Sequence, residues 1–278
     1  RLRVNSLAGA LCTVDADPDG TVADAKLRIA AAAGVPVSQQ RLVVALTELE
    51  DDGQLLGSAL RGASLGLEAP AEDEDGIEVT LVRRFPEQAE WLARARADAQ
   101  ALSAAPDHIL ADFEVIRAGV QQRGIVLQHA SAALQADRQI VLEAVRQSGF
   151  ALQHAAPALR GDPVVVLAAV RQCGIALRYA VEELRADPAT VLAAVAQNGT
   201  ALRYASQTLR GDAKVVMAAV RQRGTSLEYA VDRFRSDIEV VLAAVRQNGF
   251  ALQYASEELR DSREVTMAAY QQSGVSLA

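Results

Sequence analysis

From residue 112 onward one spacing governs the chain: the same residue types return every 25 positions. Asp112, Asp137, Asp162, Asp187, Asp212 and Asp237 fall in step, and Ser262 takes the next place. Gly124, Gly149, Gly174, Gly199, Gly224, Gly249 and Gly274 keep the same interval, as do Leu127, Leu152, Leu177, Leu202, Leu227 and Leu252. A period of this length predicts an array. Each unit is one supersecondary element that can bury its apolar side only against its neighbours.

A unit can be read residue by residue. The aspartate is placed to cap a helix, accepting hydrogen bonds from the free amides of its first turn. Pro163 and Pro188 follow at the first helical position, where a missing N–H costs nothing. Apolar runs such as "VVLAAVRQ" predict the helix itself, and the glycine after it predicts a left-handed C-terminal cap. "ALQYASEEL" then spaces Leu, Ala and Leu at i, i+3 and i+7, which predicts a second, shorter helix. Each unit therefore reads as a helical hairpin. The Ala-Ala pairs at 168–169, 193–194, 218–219 and 243–244 are small enough to let adjacent helices approach closely. Upstream, Leu102, Ala105 and Ile109 are in phase with Leu127, Ala130 and Leu134. Residues 86–111 are accordingly expected to form a degenerate first unit, with Trp91 over the end of the stack.

The first 85 residues follow a different rule. "RLRVNSLAGALCTVDAD" alternates apolar and polar residues around Gly9 and predicts a hairpin. "TVADAKLRIAAAAG" predicts a helix capped by Thr21 and stopped by Gly34, with Val22, Ala25, Lys26 and Ile29 on one face. "VPVSQQRLVVAL" and "IEVTLVRR" supply two more strands. Strand, strand, helix, strand, strand is the order of a β-grasp. The expected fold is thus α+β: a β-grasp over residues 1–85, then an all-α solenoid over residues 86–278. Its units start near 87, 112, 137, 162, 187, 212, 237 and 262, the last one truncated. The chain opens on Arg1 and stops within a unit, so a fragment of a longer protein is expected.

Two resemblances sharpen this reading. "GVPVSQQRLVVALTELEDDGQL" closely resembles the central segment of the ubiquitin family, and Leu2, Val4, Leu7, Gly9 and Lys26 also fall at matching places. The likeness covers about the first 84 residues and implies a ubiquitin-like domain of the kind read by receptors. Receptors of that family use an apolar patch on the sheet. The matching positions here are Leu7, Val43 and Val82, with Arg41, Arg83 and Arg84 as basic flanks. The chain continues through "LVRRFPEQ" where ubiquitin ends in its conjugating tail, so conjugation through that end is not expected. Lys26 alone matches a chain-forming lysine, and the resemblance implies that it is largely buried. An acidic insert at 68–76 reads as a solvated loop. The second resemblance is carried by the tandem "VVLAAVRQNGxALxYAS" units. It is to a family known as domain of unknown function 4116, and it implies no activity.

Charge and composition narrow the function classes. The net charge of -7 is concentrated in residues 1–85, at -6, and no basic block marks a nucleic-acid partner. No apolar run approaches the roughly 20 residues that cross a bilayer, so no membrane partner is expected. Cys12 and Cys173 lie far apart, which suits free thiols and a cytoplasmic or nuclear location. No phosphate-binding loop or nucleophile–base pattern is visible, and no cofactor, metal or catalytic residue is assigned. A repeat presents the same residues everywhere, which suits extended binding rather than catalysis.

Three rows recur within the array. His129, His154, Tyr179, Tyr204, Tyr229 and Tyr254 read as a packing position rather than an aromatic binding strip or a metal site. Gln122, Gln147, Gln172, Gln197, Gln222, Gln247 and Gln272 read as an amide ladder at the helix ends, or else as a binder of peptide backbone. Arg146, Arg171, Arg221 and Arg246 form a repeated positive position, either neutralised by nearby carboxylates or presented to an acidic peptide. The expectation is a non-enzymatic protein–protein adaptor. Its head would dock on a ubiquitin receptor, such as a proteasome subunit or a segregase, and its solenoid would hold a protein or peptide. The alternatives are the recognition arm of a larger enzyme, such as a ubiquitin ligase, and a head that only caps the solenoid.

Overall fold

The computed structural model describes residues 1–44, 47–49, 51–63 and 77–273. The acidic insert, Glu50 and Gly274 lie outside them. The chain divides into two compact units, Arg1–Ala93 and Arg94–Ala278.

In the first unit five strands order as β2-β1-β5-β3-β4. These are β1 (Leu2–Ser6), β2 (Gly9–Val14), β3 (Gln40–Val44), β4 (Thr47–Glu48) and β5 (Ile77–Arg83). β1 runs parallel to β5, and the other pairs are antiparallel. Alternation decides the faces. Val4, Leu42, Val79 and Leu81 are buried, whereas Arg3, Arg41, Val43 and Val82 stay partly exposed. Helix α1 (Val22–Ala33) contributes Val22, Ala25 and Ile29 to the core. Its capping box is complete: Thr21 Oγ1 accepts from the Asp24 amide at 3.2 Å, and Asp24 Oδ2 accepts from the Thr21 amide at 2.9 Å. It ends on Gly34 at φ 68°, a conformation that costs glycine little.

Two head elements go beyond the sequence expectation, the two-residue β4 and helix α2 (Leu56–Ala63). α2 buries Leu56, Ala59 and Leu60, spaced i, i+3, i+4. Lys26 is buried, and its ammonium meets Asp52 Oδ1 at 2.5 Å. Gln40, fully buried, donates from Nε2 to the carbonyls of Lys26 and Val35.

In the second unit the 25-residue repeat takes three pieces. The unit opening at Asp162 has a ten-residue helix (Pro163–Gln172), a six-residue 3-10 helix (Gly174–Tyr179) and a four-residue helical turn (Glu182–Arg185). The same three pieces recur after Asp112, Asp137, Asp187, Asp212 and Asp237. They also occur in the same order within Pro86–Leu110, as Pro86–Ala97, Ala99–Ala104 and Asp107–Leu110. Each of the six aspartates caps its helix, with first-turn amides such as Thr190 N donating to Asp187 at 2.8 Å. Long helices of successive units pack side by side. In one unit Val165, Val166, Ala169, Val170, Ala176 and Leu177 are all fully buried. Each such Val or Leu side chain contributes about 1.5–3 kcal/mol relative to exposure, and the burial is shared between contacts within a unit and contacts to its neighbours.

Two expectations are corrected. The second half of a unit is not one helix. After the 3-10 segment the chain turns extended, as at Ala205 (ψ 155°), and the next amide leaves the helical ladder. Ser206 N donates instead to Arg185 O of the preceding unit, at 2.8 Å. Ala156 N to Gln135 O and Ser256 N to Arg235 O repeat the bond. A carbonyl in the neighbouring unit thus wins the donor that a continuous helix would need.

The recurring glycines are not left-handed caps either. Among the described residues, glycines with positive φ are Gly9 and Gly34. The long helix ends two residues before the repeat glycine, and the residue between them is extended, such as Asn198 (φ -151°). The glycine is needed for clearance. A Cβ on Gly174 would stand 2.3 Å from Ala194 O, and one on Gly199 would stand 2.5 Å from Ala219 O. The next unit's helix backbone passes where a side chain would begin. The Ala-Ala pairs divide accordingly: Ala169, Ala194, Ala219 and Ala244 are buried in the seam, while Ala168, Ala193, Ala218 and Ala243 are partly exposed.

Candidate interaction surfaces

The glutamine row lies along the helix ends. Gln172 Oε1 accepts from Gly149 N at 2.6 Å, and its Nε2 donates to Gln147 O at 3.4 Å. Gln197, Gln222 and Gln247 repeat both bonds one unit further on each time. Each amide therefore satisfies an amide at the start of a 3-10 helix and a carbonyl at the end of a long helix, both in the preceding unit. This is the amide-ladder reading. A shallow polar groove of about 270 Å³ runs over Gln197, Gln222 and Gln247.

The aromatic row also joins units. The Arg178 guanidinium stands 5.0 Å from the Tyr179 ring centre and 5.9 Å from that of Tyr204. Arg203 is 6.0 Å from both Tyr204 and Tyr229. Each cation lies against two aromatic faces, an arrangement favourable by about 0.5–1 kcal/mol per exposed contact. Toward the start of the row, burial and then the charge of His129 lower the pKa of His154. Among the described residues no three His, Cys, Asp or Glu side chains are grouped to hold a metal.

Arg146, Arg171, Arg221 and Arg246 stand exposed at one recurring position near the C-termini of the long helices. Among the described residues they make no ion pair and no hydrogen bond. Two carboxylates of the array pair with other arginines: Glu143 with Arg117 at 3.0 Å and Asp162 with Arg138 at 2.8 Å.

On the head, Val43, Val82 and Arg41 belong to the outer face of the sheet. Register pairs Arg41 with Val82 and Val43 with Thr80. β1 runs parallel with Asn5 beside Thr80. Leu7, in the turn that follows β1, is 87% exposed. The basic flank is largely engaged. Glu48 accepts from Arg41 at 2.7 Å and from Arg84 at 3.2 Å, and Arg83 Nε donates to Gln39. Sequence reasoning missed Glu48, because its strand is two residues long.

Comparison with family profiles matches residues 2–59 to the Ubiquitin family. It matches residues 112–160, 162–210, 212–260 and 237–278 to the Domain of unknown function (DUF4116). Most of these matches take in two structural units, Asp to Asp. No described helix is long and apolar enough to cross a membrane. With more than half of its length matched by that repeat profile, the chain belongs to the DUF4116 family, and it carries a ubiquitin-family domain at its head.

Proposed function

We propose that this protein is a non-enzymatic adaptor, whose head docks on a ubiquitin receptor and whose array holds a protein or peptide partner. The observation that supports the reading is exposure at the three family-matched positions: Leu7 is 87% exposed, and Val43 and Val82, on the outer face of the sheet, are partly exposed. A contiguous apolar patch on a surface marks a contact site, and the family likeness assigns Leu7, Val43 and Val82 to one such patch. Lys26 supports docking rather than chain building: it is the only lysine of residues 1–93, and its amine is buried against Asp52. Cys12 and Cys173 are free thiols, in keeping with the cytoplasm or nucleus.

The test is capture of the full chain on an immobilised ubiquitin-receptor domain. Val43→Asp is expected to weaken capture at least tenfold, since a charge would replace an apolar contact of about 1.5–3 kcal/mol. Capture of neither form, or equal capture of both, overturns the docking role.

A further inference from the structure

The outward sides of the long helices change character along the array. In the units opening at Asp112 and Asp137 they carry Glu114, Arg117, Arg138 and Glu143, tied by the Arg117–Glu143 and Arg138–Asp162 ion pairs. From Pro163 to Arg246 the same side is mostly apolar. Val164, Leu192 and Ile238 are 54%, 36% and 40% exposed, and Leu167, Met217 and Leu242 are partly exposed between them. The helix Pro188–Gln197 presents no charged side chain at all. Along the C-terminal edge of this apolar strip stand Arg171, Arg221 and Arg246, without carboxylate partners among the described residues. A groove of about 440 Å³ shows the combination at one place. Ala213, Met217 and Ala218 line it together with Lys214 and Arg221.

We infer that this face binds an amphipathic acidic helix of a partner protein, laid across the long helices from Pro163 to Gln247. This deepens the adaptor reading and rests on it for the array's role, though not for the head's. The apolar strip takes the partner's Leu-type side chains, and the cationic edge selects carboxylates beside them. Spacing agrees. Packed helices stand about 8–10 Å apart, and glutamates seven residues apart on a helix are about 10.5 Å apart. Successive carboxylates on one edge therefore meet Arg221 and Arg246, and Arg171 lies two helices away across the Ala196 gap. Glu239 is the one carboxylate on this stretch of outer face, at the opposite end of its helix. A partner with acidic flanks meets little opposing charge there.

The probe is a fluorescent synthetic helix with Leu at heptad a and d positions and Glu on the flanks, measured by anisotropy against the full chain. A second probe replaces every Glu with Lys. The Glu helix is expected to bind at least tenfold more tightly than the Lys helix, and to weaken with added salt. Arg171→Glu/Arg221→Glu/Arg246→Glu, and separately Met217→Asp, are each expected to reduce its affinity at least tenfold. Both variants alter exposed or partly exposed side chains, and circular dichroism verifies that helix content is unchanged. Receptor capture through Val43, read on the same variants, is expected to persist, so failure of this face is distinguished from failure of the head. Equal binding of the two probes, no binding, or binding indifferent to the substitutions overturns the inference. So does sedimentation of the chain as a dimer that Met217→Asp converts to a monomer, because the occupant is then a second copy.

Discussion

Gly199 and Gly161 separate two reasons for using glycine. At Gly199 a methyl group would stand 2.5 Å from Ala219 O, whereas at Gly161 the nearest atom is Ala158 O at 3.4 Å. Gly199→Ala is therefore expected to cost about 1–3 kcal/mol, the range for forcing extra volume into a packed seam. Gly161→Ala should be close to neutral, and denaturant titration checks both. Sequence alone could not choose between a left-handed cap and a close approach, because both exclude every side chain. The aspartate caps were fully legible, since a carboxylate before an apolar run has one structural use. They also carry a pH signature. Hydrogen bonds from the Thr190 hydroxyl and amide lower the pKa of Asp187, and Arg138 does the same for Asp162. A depressed folded pKa gives stability that is present above the unfolded value of about 3.9 and is lost as pH falls through the folded one. Melting temperature is expected to drop below about pH 4, and less steeply in Asp187→Asn, which keeps the cap but does not titrate. Identical acid profiles for the two proteins would remove Asp187 from that role.

At the scale of elements, the long helices and head strands were legible because their periods, 3.6 and 2, are distinct. The break inside "ALQYASEEL" was not. It depends on Arg235 O in the preceding unit taking the Ser256 amide, a contact that no local pattern encodes. Helix α2 was within reach, since Leu56, Ala59 and Leu60 have helical spacing. The glutamine row was recognised as a row, but its two bonds per residue needed coordinates. Gln197 shows what it holds. Truncation to alanine frees the part-buried Gly174 amide and the Gln172 carbonyl together. Gln197→Ala is expected to cost about 1–3 kcal/mol, the penalty for stranding a buried donor. Because units couple to their neighbours, hydrogen exchange should rise in both the Asp162 and Asp187 units. Exchange confined to the Asp187 unit would mean that the ladder does not couple them.

For the whole molecule, the head's proposed apolar face rests on its family likeness, since alternation marks Val43 and Val82 only as outward-facing. The array's outer face was half legible. Its arginines stood out by period, while their freedom from ion pairs and the apolar strip beside them depended on which side each helix turns outward. Head and array together make the account one of attachment at two independent surfaces. The most direct measurement is a two-step binding experiment on the full chain. An immobilised ubiquitin-receptor domain captures the chain, and the labelled acidic helix is then added. The expected result is capture that Val43→Asp weakens, followed by helix binding of the same affinity as in free solution. Failure of the receptor to capture the chain, or release of the chain when the helix binds, would contradict the adaptor role.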